Sequence, residues 1–341
     1  MENKIRKKSN NYRRDEKMTK DNGKMFLGVD VGSISTNLAL IDEQKNLLQS
    51  IYIRTEGKPV KSVQKGIVLM REKVGKDIII HGAGATGSAR QLTGVLIGAD
   101  IVKNEITAHA LASLHYNPDV QTILEIGGQD SKIIIIRNGV AVDFAMNTVC
   151  AAGTGSFLDM QASRLEIPIE EFGELALKSK SPVSIAGRCT VFAESDMIHK
   201  QQLGHPTEDI VNGLCEALAR NYLNNVGKGK EIEPPIMFQG GVAANIGMRV
   251  AFKKFLNQEI IVPENFAVMG AIGAAILAQE EMEKRPRESS FYGWDIPEMN
   301  FETTGFECDG CSNICEIVEI RKNDKLIARW GSRCGKWDIS D

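Results

Sequence analysis

Hydrophobic and polar positions along this chain repeat in blocks. Two stretches share one pattern: an apolar strand, a carboxylate with a glycine turn, a second apolar strand, then a polar turn. The first carries Asp30-Val31-Gly32-Ser33 followed by Thr36–Ile41, the second Glu125-Ile126-Gly127-Gly128 followed by Ser131–Ile136. They superpose without a gap at an offset of 95 residues. Short apolar runs bounded by Gly and Asn turns predict β-hairpins. Helical spacing follows each hairpin, at 59–75 and 105–116 in the first half and at 155–165, 169–178, 192–203, 207–226, 243–256 and 267–284 in the second. Strands are predicted at 236–238 and 260–262, the first leading into the Gly240-Gly241 turn. The last helix lines Gly270, Ala271, Gly273, Ala274 and Ala275 along one face, which lets it approach a sheet or a ligand closely.

Two matched hairpins, each trailed by helices, predict a duplicated α/β fold with a cleft between its halves, 25–120 and 121–284. Pro286, Pro297 and Gly305 mark 285–305 as a linker, and a Cys-rich module occupies 306–341. The first 24 residues are repeatedly basic but have no apolar segment, so they read as a disordered arm or as residues upstream of the true start (Met18 or Met25), not a secretory signal.

Composition narrows the function. The 341 residues are 43% hydrophobic and 25% charged, as in an ordinary globular protein. A net charge of −3 gives no electrostatic case for nucleic acid or an acidic lipid surface. No apolar run reaches the roughly 18 residues a membrane span needs. Seven cysteines with no signal sequence point to a reducing cytoplasm and metal ligation instead of a disulfide framework.

Phosphate binding needs backbone N–H groups that an anion can reach unobstructed, which is why glycine turns recur at such sites. Candidates are Gly32-Ser33-Ile34-Ser35-Thr36, Gly127-Gly128, Gly153-Thr154-Gly155 and Gly240-Gly241. Asp30 and Glu125, at matched strand ends, are expected to face each other and hold Mg²⁺, through water because Mg²⁺ dehydrates reluctantly. Cys150 and Cys189 each precede a helix, where the dipole favours the metal-ligating thiolate. The alternative is that both are small buried hydrophobes, the reading that suits Cys215. Two thiols are half of what a 4Fe–4S cluster takes, and a homodimer sharing one cluster is the economical completion.

In order and wording these segments resemble the actin, hexokinase and heat-shock-chaperone ATPases, with duplicated ribonuclease-H-like domains. Within that group they resemble the activators of 2-hydroxyacyl-CoA dehydratases, of the BadF/BadG/BcrA/BcrD ATPase family. The resembling segments are GVDVGS (28–33), NEITAHA (104–110), IGGQDSK (126–132), CAAGTGSFLD (150–159), CTVFAESD (189–196), GGVAAN (240–245) and GAIGAA (270–275). Glu125 departs from the Asp usual before IGGQD, which shifts a metal or water contact by one methylene. The resemblance implies ATP and Mg²⁺, with Gln129 joining Asp30 and Glu125 in catalysis and Lys132 joining the glycine turns at the nucleotide. It also implies a cluster bridging a homodimer, a ferredoxin- or flavodoxin-type donor, and an acceptor iron–sulfur protein. The rival readings are a small-molecule kinase of the same fold, for example one acting on an amino sugar, and an ATP-dependent sensor that transfers nothing.

Cys308-x2-Cys311-x3-Cys315 and Cys334 flank a predicted hairpin (316–330), a spacing that suits a second 4Fe–4S cluster, Zn²⁺ or no metal. His81, His109, His115, His199 and His205 show no ligand spacing and read as surface or core. Trp294, Trp330 and Trp337 read as packing for the linker and module. Glu194 and Asp196 read equally as site residues or a solvated helix face.

Overall fold

The computed structural model describes residues 23–147 and 149–340. The basic arm expected at 1–24 therefore lies outside the described residues, save Gly23 and Lys24. The chain opens with β1 (Met25–Val31), β2 (Ser35–Ile41), β3 (Leu47–Arg54), α1 (Pro59–Val74), β4 (Ile80–Thr86), α2 (Arg90–Ile97), β5 (Ile101–Val102) and α3 (Glu105–Tyr116). Their sheet runs β3-β2-β1-β4-β5, antiparallel through the first three strands and parallel beyond.

The second set is β6 (Thr122–Ile126), β7 (Ser131–Arg137), β8 (Val140–Asn147), α4 (Gly155–Arg164), α5 (Ile169–Ala176), α6 (Thr190–Gln202), α7 (Thr207–Asn225), β9 (Ile236–Gln239), α8 (Ile246–Leu256), β10 (Ile260–Ile261) and α9 (Met269–Lys284). This sheet runs β10-β9-β6-β7-β8, the same order and the same strand directions. The duplication holds to the residue. Asp30 pairs with Asn37 and Glu125 with Lys132, while the Gly32 N–H bonds Ser35 O at 2.9 Å and the Gly127 N–H bonds Asp130 O at 3.0 Å.

Three apolar clusters fill the molecule. One lies under β1 and β4 with α1, one joins β6 and β7 to α4, α5, α7 and α8, and a third runs between the sheets through α3 and α9. Sequence position groups α9 with the second half, but in the structure it packs on β1 and β4 of the first sheet. Glycine is the physical reason. A Cβ on Gly28 would stand 1.9 Å from Ala271 O, one on Gly84 2.1 Å from Ala274 O, and one on Gly273 1.9 Å from Ala108 O of α3.

The segment after α9 is not an open linker, despite its prolines. The Ser289 hydroxyl donates to Asp100 Oδ2 (2.6 Å), the Ser290 N–H to Asp100 Oδ1 (2.9 Å) and the Tyr292 N–H to Ile97 O (3.0 Å). The Trp294 indole donates to Ile78 O (2.8 Å), Arg71 reaches Trp294 O (3.0 Å), and Ile296 is fully buried in the first lobe. The segment is a strap fastened by partners on α1, before β4 and after α2, none of them near it in sequence. Beyond it, β11 (Phe301–Glu307), β12 (Glu316–Lys322), β13 (Lys325–Trp330) and β14 (Ile339–Ser340) form an antiparallel sheet that contains the predicted hairpin. Among the described residues no helix is long and apolar enough to cross a membrane.

Candidate functional site

The two hairpin turns open onto one cavity of about 580 Å³ between the lobes. Asp30, Gly32, Ser33, Ser35 and Asn37 line one wall; Glu125, Gly127, Gly128, Asp130, Lys132, Gly155, Gly240 and Gly241 line the other. Thr36 does not line it. One position along β2 from Asn37, its side chain turns into the lobe and bonds the Thr55 (2.9 Å) and Ser62 (2.8 Å) hydroxyls. Gln129 is exposed at the turn, and Gly153 and Thr154 are buried behind the wall, where the Thr154 hydroxyl donates to Ala151 O (2.8 Å).

Each carboxylate sits in a cradle that a Cβ would fill. Gly87 (φ +93°) follows β4, and a Cβ there would come within 2.5 Å of Asp30 Oδ1. Gly240 (φ +88°) follows β9, and a Cβ there would come within 2.6 Å of Glu125 Oε1. Both glycines hold left-handed backbone, which costs a side-chain-bearing residue energy even before the clash.

Lys132 Nζ lies 3.1 Å from Glu125 Oε2 and 3.0 Å from Asp130 Oδ1. Burial works to lower its ammonium, but Glu125 and Asp130 outweigh burial and hold it above its ordinary range. Burial pushes Asp30 up to about 6 and Glu125 up to about 7, with Lys132 opposing in both cases. Desolvated carboxylates that favour protonation are primed to gain from a divalent cation. Among the described residues, two buried polar atoms lining the cavity, Asn37 Oδ1 and Asn245 Nδ2, have no hydrogen-bond partner. An oxygen donor beside Asp30 and an amide donor at the far end suit a metal-bound polyphosphate and a base. At that far end Arg249 stacks 5.7 Å from the Phe266 ring centroid and donates to Ala243 O (2.7 Å).

His109, read as surface or core from sequence, is buried and lines the cavity. The Ser113 hydroxyl bonds Gln239 Oε1 (3.1 Å), and Gln239 Nε2 bonds His109 Nδ1 (2.8 Å). An amide N–H facing Nδ1 assigns the ring proton to Nε2. A Cβ on Gly270 would lie 3.3 Å from that nitrogen and 2.2 Å from Asp30 Oδ2, so both groups converge on the same glycine. Burial drives the imidazole down to about 3, and it is neutral at physiological pH.

Cys150 and Cys189 are half-buried free thiols at N-cap positions, Cys150 before the short turn Ala151–Gly153 and Cys189 before α6. The Asn147 side chain clamps the first, with Oδ1 accepting the Cys150 N–H (2.9 Å) and Nδ2 donating to Cys150 O (2.7 Å). Asn221 of α7 touches both loops. Its Nδ2 donates to Gly187 O, and a Cβ on Gly153 would lie 2.9 Å from its Oδ1. Asp196 Oδ2 accepts the Ala186 N–H (2.9 Å) and holds the approach to Cys189, while Glu194 pairs with Arg164 (2.9 Å). Val149, Val191 and Phe192, beside the thiols, are 95%, 65% and 67% exposed. The donor set fits a shared cluster in kind: two half-buried free thiols on loops that Asn221 joins, with exposed apolar side chains beside them. Among the described residues no three His, Cys, Asp or Glu side chains gather closely enough to hold a metal within one chain. Cys215 is core, its thiol pushed up to about 12 by burial.

The cleft and the thiols are mechanically joined. The Gly155 N–H bonds Gly127 O (2.9 Å), and the Ser156 N–H (2.8 Å) and hydroxyl (2.5 Å) bond Gly128 O. The phosphate-type turn of the second lobe is thus latched to the helix that follows Cys150.

Comparison with known proteins agrees with this geometry. Residues 27–278 match the BadF/BadG/BcrA/BcrD ATPase family. The (R)-2-hydroxyglutaryl-CoA dehydratase activating ATPase of Acidaminococcus fermentans is 35% identical over 266 residues, 76% of this chain and 98% of that protein. The activator of lactoyl-CoA dehydratase of Anaerotignum propionicum is 32% identical, over 76% of this chain and 99% of that one. Among solved structures, the activator of the 2-hydroxyisocaproyl-CoA dehydratase from Clostridium difficile with bound ADPNP superposes with a TM-score of 0.71 at 32% identity, covering 76% of this chain and 96% of that one.

Proposed function

Because the chain belongs to the BadF/BadG/BcrA/BcrD ATPase family, we propose that it is an ATP-dependent reductive activase working as a homodimer in a reducing cytoplasm. Cys150 and Cys189 of each protomer would hold one shared 4Fe–4S cluster. ATP hydrolysis would drive low-potential electrons, received from a ferredoxin- or flavodoxin-type donor, one at a time to a partner iron–sulfur enzyme. The acyl group differs among the three relatives' names, and 2-hydroxyacyl-CoA dehydratase is the partner class they share.

Asp30 and Glu125 would hold Mg²⁺ on the nucleotide through water. The turns that begin at Gly32, Gly127 and Gly240, whose own N–H groups bond Ser35 O, Asp130 O and Phe266 O, would offer the N–H groups that follow to the nucleotide's phosphates. Lys132 balances the carboxylate charge and keeps Glu125 and Asp130 in place. His109 Nε2–H stands beside Asp30 as a neutral donor whose direction Gln239 sets. When bound, the cluster supplies a one-electron redox centre.

One observation carries the reading: the latch from Gly127 and Gly128 to Gly155 and Ser156, continued by Asn221 to both cysteine loops. A shift of the phosphate turn on nucleotide binding would be handed directly to the thiols. The test is iron and acid-labile sulfide content after strictly anaerobic purification, with ATP-dependent reduction of a dehydratase partner assayed alongside. About two iron atoms per chain are expected, as for one cluster per dimer. The variant Cys150→Ser/Cys189→Ser should lose the iron and the electron transfer while still binding nucleotide. Iron-free protein after reconstitution, turning over a small-molecule acceptor instead, would replace this reading with a kinase.

A further inference from the structure

The C-terminal module lies beyond the family match, which ends at residue 278, and the activase reading leaves its four cysteines without a task. From their arrangement we infer that Cys308, Cys311, Cys315 and Cys334 bind one Zn²⁺ as a tetrathiolate. The site is independent of Cys150 and Cys189.

The hairpin register comes first. Glu307 pairs with Glu316 at the end of β11 and β12, and the next residues in, Cys308 and Cys315, continue the ladder through a 2.8 Å bond from Cys308 N to Cys315 O. Residues directly opposed on an antiparallel pair have Cβ atoms about 4.5–5.5 Å apart. Tetrahedral zinc with Zn–S of about 2.3 Å sets its sulfurs roughly 3.8 Å apart, within reach of such a pair. The thiolates that cap the irons of a 4Fe–4S cluster stand farther apart than those around one zinc, so the register suits a single ion.

The fourth cysteine comes from a separate turn that the fold presses against this loop. The Trp337 indole N–H donates to Cys308 Sγ at 3.1 Å. The turn bearing Cys334 is closed by Ser332 Oγ to Asp338 Oδ1 (2.9 Å), and Trp337 packs edge-on against Phe306 (5.2 Å between centroids). Gly310 lies so near Cys308 that a Cβ there would stand 3.4 Å from the sulfur and 3.9 Å from Lys336 Nζ. Loop and turn therefore meet at one end of the sheet.

The module's own core is too small to hold it together. Among the described residues, its buried ones are Ile317, Ile320, Ala328 and Cys308. Sheets of this size need a staple, and in a reducing compartment a metal supplies one. Cys311 and Cys334 are exposed, and among the described residues three thiols do not yet converge. Metal binding and closure of the loop are then a single event.

Zinc and iron content of the full-length protein, grown with both metals and purified anaerobically, tests the site. Expected is about one zinc per chain, kept in Cys150→Ser/Cys189→Ser and lost in Cys308→Ser/Cys334→Ser, with nucleotide binding retained in both. Cobalt substitution of the wild type should give the intense visible bands of a tetrahedral tetrathiolate. If the second variant fails to fold, a mercurial titration of the wild type serves instead, because zinc should leave only as thiols are consumed. A wild type without zinc overturns the inference, as do about six iron atoms per chain, which would mean a second cluster in the module. Loss of iron from Cys150 and Cys189 alone would touch the activase reading and leave this one standing.

Discussion

At the scale of single residues, charge is governed by what each group is buried against. His109 bears on stability as well as on the cleft. Its folded pKa is near 3 against an ordinary 6.5, so its contribution to stability is present above pH 6.5 and is lost as pH falls toward 3. Asp30 and Glu125 run the other way: with folded values near 6 and 7, their contribution is present below the ordinary carboxylate range and is lost as pH rises through those values. Replacing His109 with Gln should remove only the first effect. In nucleotide-free protein, denaturant unfolding should give wild type an advantage over His109→Gln that shrinks by about 2 kcal/mol between roughly pH 7.5 and pH 5. An advantage that does not change with pH would mean that His109 accepts a proton in the folded state. Asp30 and Glu125 were legible in the sequence because each ends an apolar run at a glycine turn. His109 was not, because Gln239, which fixes its tautomer, lies 130 positions away. Asn221 left a fainter trace, a buried polar residue on the mostly apolar inner face of α7.

At the scale of elements, local pattern carried most of the assignment. The predicted helices begin and end within a few residues of those observed, and the repeat at offset 95 reappears as matched hairpins. What pattern could not give is which sheet a helix joins. The small residues of α9 announced close packing, but its partner, β1, lies over 200 positions earlier and is admitted by Gly28 alone among the strand's residues. Gly28→Ala tests that contact, since its methyl would meet Ala271 O and Ala275 N, backbone atoms that cannot swing aside. A loss of about 3 kcal/mol is expected, measured by denaturant unfolding, with both lobes affected because α9 and α3 carry the apolar cluster between the two sheets. A near-neutral result would mean that α9 stands off from the sheet.

At the scale of the whole molecule, the strap decides what moves together. Residues 285–305 looked like a linker because Pro and Gly composition is read locally, whereas the bonds to Asp100, Ile78 and Arg71 depend on the finished fold. The strap binds the cysteine module to the first lobe, while Cys150 and Cys189 ride on the second. Trp294→Ala should undo the fastening at a cost of about 3–5 kcal/mol to local stability. Limited proteolysis should then cut within 285–300 in the variant before any cut in wild type, with nucleotide binding preserved. Equal cleavage would show that the other bonds suffice. The hairpins carry a last consequence. A cleft between two identical walls would be symmetric, and a nucleotide could lie in it either way round. Position 37 is Asn and its counterpart 132 is Lys, while position 35 is Ser and its counterpart 130 is Asp, so the hairpin of one wall carries a single carboxylate among neutral groups and that of the other an ammonium held between two carboxylates. The two ends of a bound nucleotide would therefore meet different walls, so that a few exchanges of residue type make a duplicated scaffold directional.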